Sequence, residues 1–196
     1  NRTKNFKTVQ EAKERFGADV VVNCTGGQAK ALSDVVDSKR NYPVKGQVLH
    51  VSNTGTYKMS VSDFVPDYPD ELLYIMPRKE GGCIIGGLMS EDVTRVDEDK
   101  GLTQRIIQRA IKYMPELVDP KFHGNPEYLD IIKVNVGLRP AREGGVRVDN
   151  DPEKKWLVHN YGAGGGGYQG SYGFAAKVVK LVGEKISETS FRTSKI

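Results

Sequence analysis

The sequence predicts a mixed α/β fold in which the two ends of the chain form one α/β layer and the middle inserts a mostly antiparallel sheet. Three observations carry that expectation. Val20, Val21 and Val22 sit in a continuous apolar run over 18–24 that ends in Thr25-Gly26-Gly27, the pattern of a short strand buried in a layered sheet. Between Pro43 and about Ile132 the apolar runs alternate with polar loops, and one amphipathic helix interrupts them. From Trp156 the first style returns as a short strand, a glycine-rich loop and a helix. The expected division is therefore 1–40 with 135–196, against 41–134.

In order along the chain, Thr8-Val9-Gln10-Glu11 has the form of a capping box. Val9, Ala12 and Phe16 follow on one helical face, with Gly17 as the stop. After the strand over 18–24, further strands are expected at 46–51, 72–76 and 83–87. Leu102, Ile106, Ile107, Ala110, Ile111 and Met114 line one face of a helix that Pro115 ends. Residues 156–159 make the last strand. Phe174, Val178, Val182 and Ile186 give the face of the final helix, and a frayed polar tail is expected from Glu188.

Of the 196 residues, 38% are hydrophobic and 28% charged, a globular composition that is neither disordered nor fibrous. No run approaches the ~18 consecutive apolar residues of a membrane helix, and no apolar signal region follows Asn1. The net charge of +4 is mild and bases are interleaved with acids, which argues against a nucleic-acid partner. Cys24 and Cys83 lie in strand-like runs rather than in a disulfide framework, which favours a reducing compartment. His50, His123 and His159 lack ligand spacing, so no metal site is expected. Asn23-Cys24-Thr25 fits a glycosylation acceptor but falls on the buried strand. The terminal Ser194-Lys195-Ile196 differs by one residue from the serine-lysine-leucine peroxisomal address.

Three stretches could carry chemistry. Seven of the 22 glycines fall between Gly162 and Gly173. The run from Gly162 formally fits G-x-G-x-x-G, but no further strand with an acidic residue follows to take a ribose. Bare backbone approaching a flat, partly anionic ligand fits better. In Gly137-Leu138-Arg139-Pro140, the proline presets an extended arginine whose planar fork suits a carboxylate. In Leu73-Tyr74-Ile75-Met76-Pro77-Arg78, alternation turns Tyr74 and Met76 to one side and Leu73 and Ile75 to the other. The Tyr74 phenol can donate into a pocket or simply pack. Alone, each stretch has an ordinary explanation: a flexible loop, a surface arginine, a packed tyrosine. No nucleophile motif is present, and His159 reads as structural before catalytic.

Taken together, these stretches resemble the D-amino-acid oxidase family of FAD enzymes, in a form like the C-terminal half of a fungal-type member. The resemblance is carried by residues 18–26, Pro43-Val44-Lys45-Gly46-Gln47, Tyr74-Ile75-Met76-Pro77-Arg78 with Gly86-Gly87, Val136-Gly137-Leu138-Arg139-Pro140-Ala141-Arg142, and His159-Asn160-Tyr161-Gly162 with its glycine run. It spans about residues 8 to 186. Two departures stand out: the family's N-terminal dinucleotide-binding unit does not precede these blocks, and Ala163 stands where many members have histidine.

The resemblance implies FAD as cofactor and oxidative deamination of a D-amino acid, with hydride passing from the substrate Cα to flavin and oxygen returning as hydrogen peroxide. Arg139 would pair with the substrate carboxylate and Tyr74 would bond the same group. Tyr68 is the candidate for a lid-side tyrosine, and the Gly165 carbonyl would receive the amine. Gly164, Gly166, Gly167, Tyr168 and Gln169 would line the flavin edge, and Asn23, Thr25 and Gly26 would approach from the strand end. It further implies that 1–40 with 135–196 is part of an FAD-binding domain and 41–134 the substrate-binding domain. The implied partners are the missing N-terminal half and a second copy in a homodimer, and the implied location is the peroxisome. D-aspartate oxidase or a glycine-oxidase-like enzyme is the alternative, Arg78 being the candidate cation for an acidic side chain. A half-chain inactive on its own is a third reading, and a glycine- and tyrosine-rich binding module a fourth.

Overall fold

The computed structural model describes residues 5–61, 67–118 and 129–193. It divides into two compact units, the first formed by residues up to Pro43 and from Arg139 onward, the second by Val44–Leu138.

In the first unit, helix α1 (Val9–Phe16) starts where Thr8 Oγ1 accepts the Glu11 N–H at 2.9 Å and ends at Gly17 in the left-handed region, φ +57°. The returning arm of the capping box lands one residue early, because the Glu11 carboxylate accepts from the Lys7 N–H at 3.0 Å. Phe16, expected on the inner face, is 67% exposed and stacks edge-on with Phe6 instead. The strand expected over 18–24 contracts to β1 (Val21–Asn23), after which a 3-10 turn covers Gly26–Ala31. Two longer strands, β2 (Asn41–Val51) and β7 (Ile131–Arg142), run across the division between units and pair with each other.

β8 (Arg147–Asn150) and β9 (Leu157–Tyr161) complete the first unit's sheet, in the order β1-β9-β8, with β1 parallel to β9 and β8 antiparallel to it. Val9, Leu32 and Leu157 form its small core, with Val21, Val35 and Trp156 against them. Helix α3 (Ser171–Thr193) continues past Glu188, where fraying was expected. Ile186, assigned to its buried face, is 52% exposed, whereas Lys185 beside it is buried and donates its ammonium to the Lys155 carbonyl.

The second unit is an antiparallel sheet crossed by one helix. β3 (Met59–Val61), β4 (Glu71–Pro77), β5 (Cys83–Leu88), β2 and β6 (Ser90–Glu91) follow in that order across the sheet. Helix α2 (Lys100–Tyr113) is capped by Asp99, whose carboxylate accepts the Leu102 N–H at 2.9 Å. Its apolar face, Leu102, Ile106, Ile107, Ala110 and then Met114, packs on Leu49, Val51, Leu73, Ile75, Cys83 and Ile85. Strand alternation holds on β4, with Leu73 and Ile75 buried, Tyr74 half-buried and Met76 exposed.

The Pro43–Gln47 block has a structural role here. Gln47 is fully buried and acts as a peptide mimic for the start of α2. Its amide nitrogen donates to the Asp99 carbonyl at 2.8 Å and to Thr103 Oγ1 at 3.0 Å, and its oxygen accepts the Asp99 N–H at 2.8 Å. Cys83 is buried and Cys24 exposed, and both are free thiols.

Candidate functional site

Three segments of the first unit meet. The turn after β1 and the loop after β9 both come within van der Waals reach of the end of β7. A Cβ placed on Gly26 or Gly27 would sit 3.8 Å from the Pro140 ring. Ala141 forms a β-bridge with Ala163, and a Cβ placed on Gly164, at φ +54°, would sit 3.7 Å from the Ala141 methyl. Gly162 is compulsory: its φ is +80°, and a Cβ there would lie 2.5 Å from Arg142 Cβ. One step on, the Cβ position of Gly165 lies 3.7 Å from Arg139 Cδ. Arg139 is half-buried, while Gly165, Gly166 and Gln169 are exposed and open space lies in front of Gly166. The structure thus brings together Gly26, Arg139, Gly164 and Gly165. Tyr168 is 96% exposed, and its carbonyl accepts from Ser171 Oγ at 2.8 Å at the start of α3.

A buried relay shapes the turn after β1. Asn23 Oδ1 accepts from Thr25 N at 3.2 Å and from Thr25 Oγ1 at 2.7 Å, so the Asn23 amide nitrogen must face His159 Nδ1, 3.4 Å away. Nδ1 is therefore an acceptor, and the ring proton sits on Nε2, which donates to Asp151 at 2.9 Å. His159 is fully buried, and burial pushes its pKa below the ordinary value against the opposing pull of Asp151. Asn23, expected to approach a cofactor, spends its side chain on bracing Thr25, and is 2% exposed. Beside this turn a cavity of about 680 Å³ is lined by Asn23, Thr25 and Gln28 at the carboxyl end of β1 and by Phe6, Val9 and Leu32 further in. Ligands of open α/β sheets bind outside that end of the strands.

A third group escaped sequence reasoning. Asp37 accepts two hydrogen bonds from the Arg142 guanidinium, 2.8 Å from Nε and 2.9 Å from Nη2, and a third from the Tyr161 hydroxyl at 2.8 Å. Arg147 in turn donates to the Tyr161 oxygen at 2.9 Å. Burial would raise the Asp37 pKa, but the bonds from Arg142, the Lys39 N–H, Tyr161 and Asn41 outweigh it and hold the carboxyl well below the usual carboxylate range. Asp37 sits in a polar stretch with no periodicity, so nothing local marks it.

Tyr74 and Tyr68 belong to the second unit. Tyr74 stands between Ser60 on β3 and Gly86 on β5, and Gly86 faces Val48 on β2. Its ring occupies the space a side chain would need at the glycine pair. A Cβ on Gly86 would lie 2.5 Å from Tyr74 Cζ, and one on Gly87 3.0 Å from the Tyr74 oxygen. The next outward row is Met76, Ile84 and His50. Tyr68 is 41% exposed, with the Arg105 guanidinium 4.0 Å from its ring centroid. Arg105 and Arg109 both bind the buried Glu71 carboxylate, a cluster that sequence reasoning also missed. Arg78 is exposed in the turn after β4, its N–H bonded to the Gly82 carbonyl at 2.9 Å. His123 and Ser194-Lys195-Ile196 lie outside the described residues.

Residues 2–181 match the family model described as FAD dependent oxidoreductase. The D-amino-acid oxidase of Schizosaccharomyces pombe is 40% identical over 190 residues, covering 92% of this chain and 50% of that protein. The D-amino-acid oxidase of Fusarium vanettenii is 36% identical over 181 residues, covering 89% and 49%. The chain thus spans about half the length of these curated relatives. Among solved structures, glycine oxidase from Geobacillus kaustophilus shares the fold, with a TM-score of 0.66 at 23% identity over 85% of this chain and 42% of that one.

Proposed function

This chain belongs to the DAO family of FAD-dependent oxidoreductases, and on that premise we propose that the protein containing it oxidises D-amino acids to 2-oxo acids, releasing ammonia and hydrogen peroxide. The observation that carries the reading is the pairing of Arg139 with Gly165: a cation and a run of bare backbone stand side by side. A zwitterionic substrate needs both, a fork for its carboxylate and a carbonyl for its ammonium. The residues also fit the cofactor. The polar turn at Asn23, Thr25 and Gln28 opens on a cavity at the end of a parallel strand, and the exposed Gly165 and Gly166 offer main chain to a flat ring.

The chemistry needs alignment more than acid–base groups. Bound FAD supplies the acceptor for the hydride leaving the substrate Cα. Arg139 grips the α-carboxylate, the Tyr74 hydroxyl donates to the same group, and the Gly165 carbonyl accepts from the amine. Held at three points, the Cα–H has one direction to face, and such orientation is worth ~7–11 kcal/mol. Gly164, Gly166, Gly167, Tyr168 and Gln169 would hold the flavin edge. Asn23 braces Thr25, which with Gly26 would approach the cofactor. Water then converts the imine to the 2-oxo acid, and molecular oxygen is the final oxidant. In this reading the first unit is part of the FAD-binding domain and the second the substrate-binding domain, with Tyr68 as a lid-side residue.

Neutral side chains are favoured over acidic ones. Arg78, the candidate second cation, lies in an exposed turn four residues beyond Tyr74, while the rows around Tyr74 hold Ser60, Val48, Met76, Ile84 and His50. An N-terminal half supplying the dinucleotide-binding unit, a homodimer and a peroxisomal location belong to the same proposal, the last supported by Ser194-Lys195-Ile196. The test is oxygen consumption by the full-length protein with D-alanine and D-aspartate. The expected result is a yellow protein active on D-alanine in preference to D-aspartate. A colourless protein, inactive with added FAD, overturns the reading.

A further inference from the structure

Asp37 touches none of the groups assigned to substrate, yet the strand that carries Arg139 and the strand that leads into the Gly165 loop both end on it. Arg142, the last residue of β7, lies three positions after Arg139; Tyr161, the last of β9, lies four positions before Gly165. Both bind the same carboxylate, Arg142 in two-point contact at 2.8 and 2.9 Å and Tyr161 at 2.8 Å. Asp37 is itself fixed by the Lys39 N–H at 3.0 Å and the Asn41 amide at 3.2 Å. The side chains of Asp37 and Arg142 are only 6% and 14% exposed, so solvent screens the pair weakly. Between the anchor and the site the end of β7 and the loop after β9 are held together by the Ala141–Ala163 bridge and the close seat of Gly162 on the Arg142 stem.

We propose that Asp37 is a positioning residue, which by tying Arg142 and Tyr161 to one carboxylate fixes the spacing between the Arg139 guanidinium and the Gly165 carbonyl, and so tunes the site to a zwitterion rather than to a plain carboxylate. This rests on the assignment of Arg139 and Gly165 above. An α-amino acid presents its two charged groups at a fixed separation, so a site that drifts in that spacing keeps one contact and loses the other. A ligand holding only the carboxylate needs Arg139 and Tyr74 but not the Gly165 carbonyl, and so tolerates the drift.

The experiment uses the full-length holoenzyme with D-alanine as substrate and propionate, the same skeleton without the amine, as competitive inhibitor. Asp37→Asn keeps the shape and removes the charge. It is expected to raise the D-alanine KM about tenfold, the scale of one hydrogen bond to a charged group, while the propionate inhibition constant changes less than about threefold. Tyr161→Phe releases one anchor and leaves the Asp37–Arg142 pair, and should show the same split at smaller size. FAD content is measured in each. Equal weakening of D-alanine and propionate, or wild-type values for both, overturns the proposal. If Asp37→Asn does not accumulate as holoprotein, the Tyr161→Phe split decides alone. Arg139→Ala separates the two levels of the argument. If it leaves D-alanine oxidation intact, the carboxylate assignment itself fails; an inactive Arg139→Ala beside a wild-type-like Asp37→Asn removes only the role of Asp37.

Discussion

At the scale of single residues, the proposed chemistry turns on Arg139 and Tyr74, and each makes a quantitative expectation. Replacing Arg139 by alanine leaves a desolvated substrate carboxylate without its counter-charge, a loss of ~3–5 kcal/mol, or roughly 10²–10⁴ in kcat/KM. Arg139→Lys keeps the charge and loses the fork, so it should recover only part of this. Tyr74→Phe removes one hydrogen bond to a charged group, ~1.5–3 kcal/mol, a smaller defect. Steady-state oxygen consumption by the full-length enzyme checks the order; a Tyr74→Phe variant worse than Arg139→Ala contradicts it. Gly86 adds an independent check on how Tyr74 is held. A methyl there would come within 2.6 Å of the phenol oxygen, so the ring must leave its seat. Gly86→Ala should therefore lose at least as much activity as Tyr74→Phe. Gly137→Ala, where a Cβ meets nothing within 4 Å, is the control expected to lose little by crowding.

At the scale of elements, the sequence was legible wherever one periodicity ran uninterrupted. The α2 face from Leu102 to Met114 and the alternation of Leu73, Tyr74, Ile75 and Met76 both appear as expected. β7 was not read as a strand, because Ile131 and Ile132 are exposed and its residues from Val134 to Val136 only half-buried, so the pattern lacks a clear inner face. Phe16 and Ile186 went astray for the opposite reason: helical spacing places a residue on a face but does not supply a neighbour to cover it. The ionic clamps were illegible altogether, since Glu71 meets Arg105 and Arg109, and Asp37 meets Arg142, across long separations with no spacing rule. Glu71 gives the element-scale prediction. It is 4% exposed and receives both guanidinium groups, so it fastens the start of β4 to α2. Glu71→Ala leaves two partly buried cations facing each other, at a cost of about 3 kcal/mol or more. Thermal unfolding should show a clear fall in Tm, whereas Glu71→Ala unfolding at the wild-type temperature would mean the cluster is stabilised mainly by water.

At the scale of the molecule, the two units differ in what holds them together, and pH should separate them. The second is built on a broad apolar core, the first on a few apolar residues around buried polar chains. Three of those chains titrate. His159 is neutral when folded, with its pKa held below the ordinary 6.5 by burial, and protonating Nδ1 would also set a donor against the Asn23 amide. The unfolded chain therefore binds the proton more readily. The resulting stability is fully present above pH 6.5 and is lost as pH falls below it. Asp37 and Asp151 act lower down. Both carboxyls are held below the ordinary 3.8 when folded, so their contribution is present above that value and lost as pH falls beneath it. The first unit should thus weaken in two acid steps, one beginning near neutrality and one below pH 4. Thermal unfolding of the full-length protein from pH 8 to pH 5 should show a falling Tm for the wild type. His159→Gln removes the titrating ring and breaks the relay, so its Tm should be lower at pH 8 but flat across the same range. A His159→Gln profile that falls as steeply as the wild type would place the proton sensitivity elsewhere and remove the relay from His159 to Thr25 as its cause.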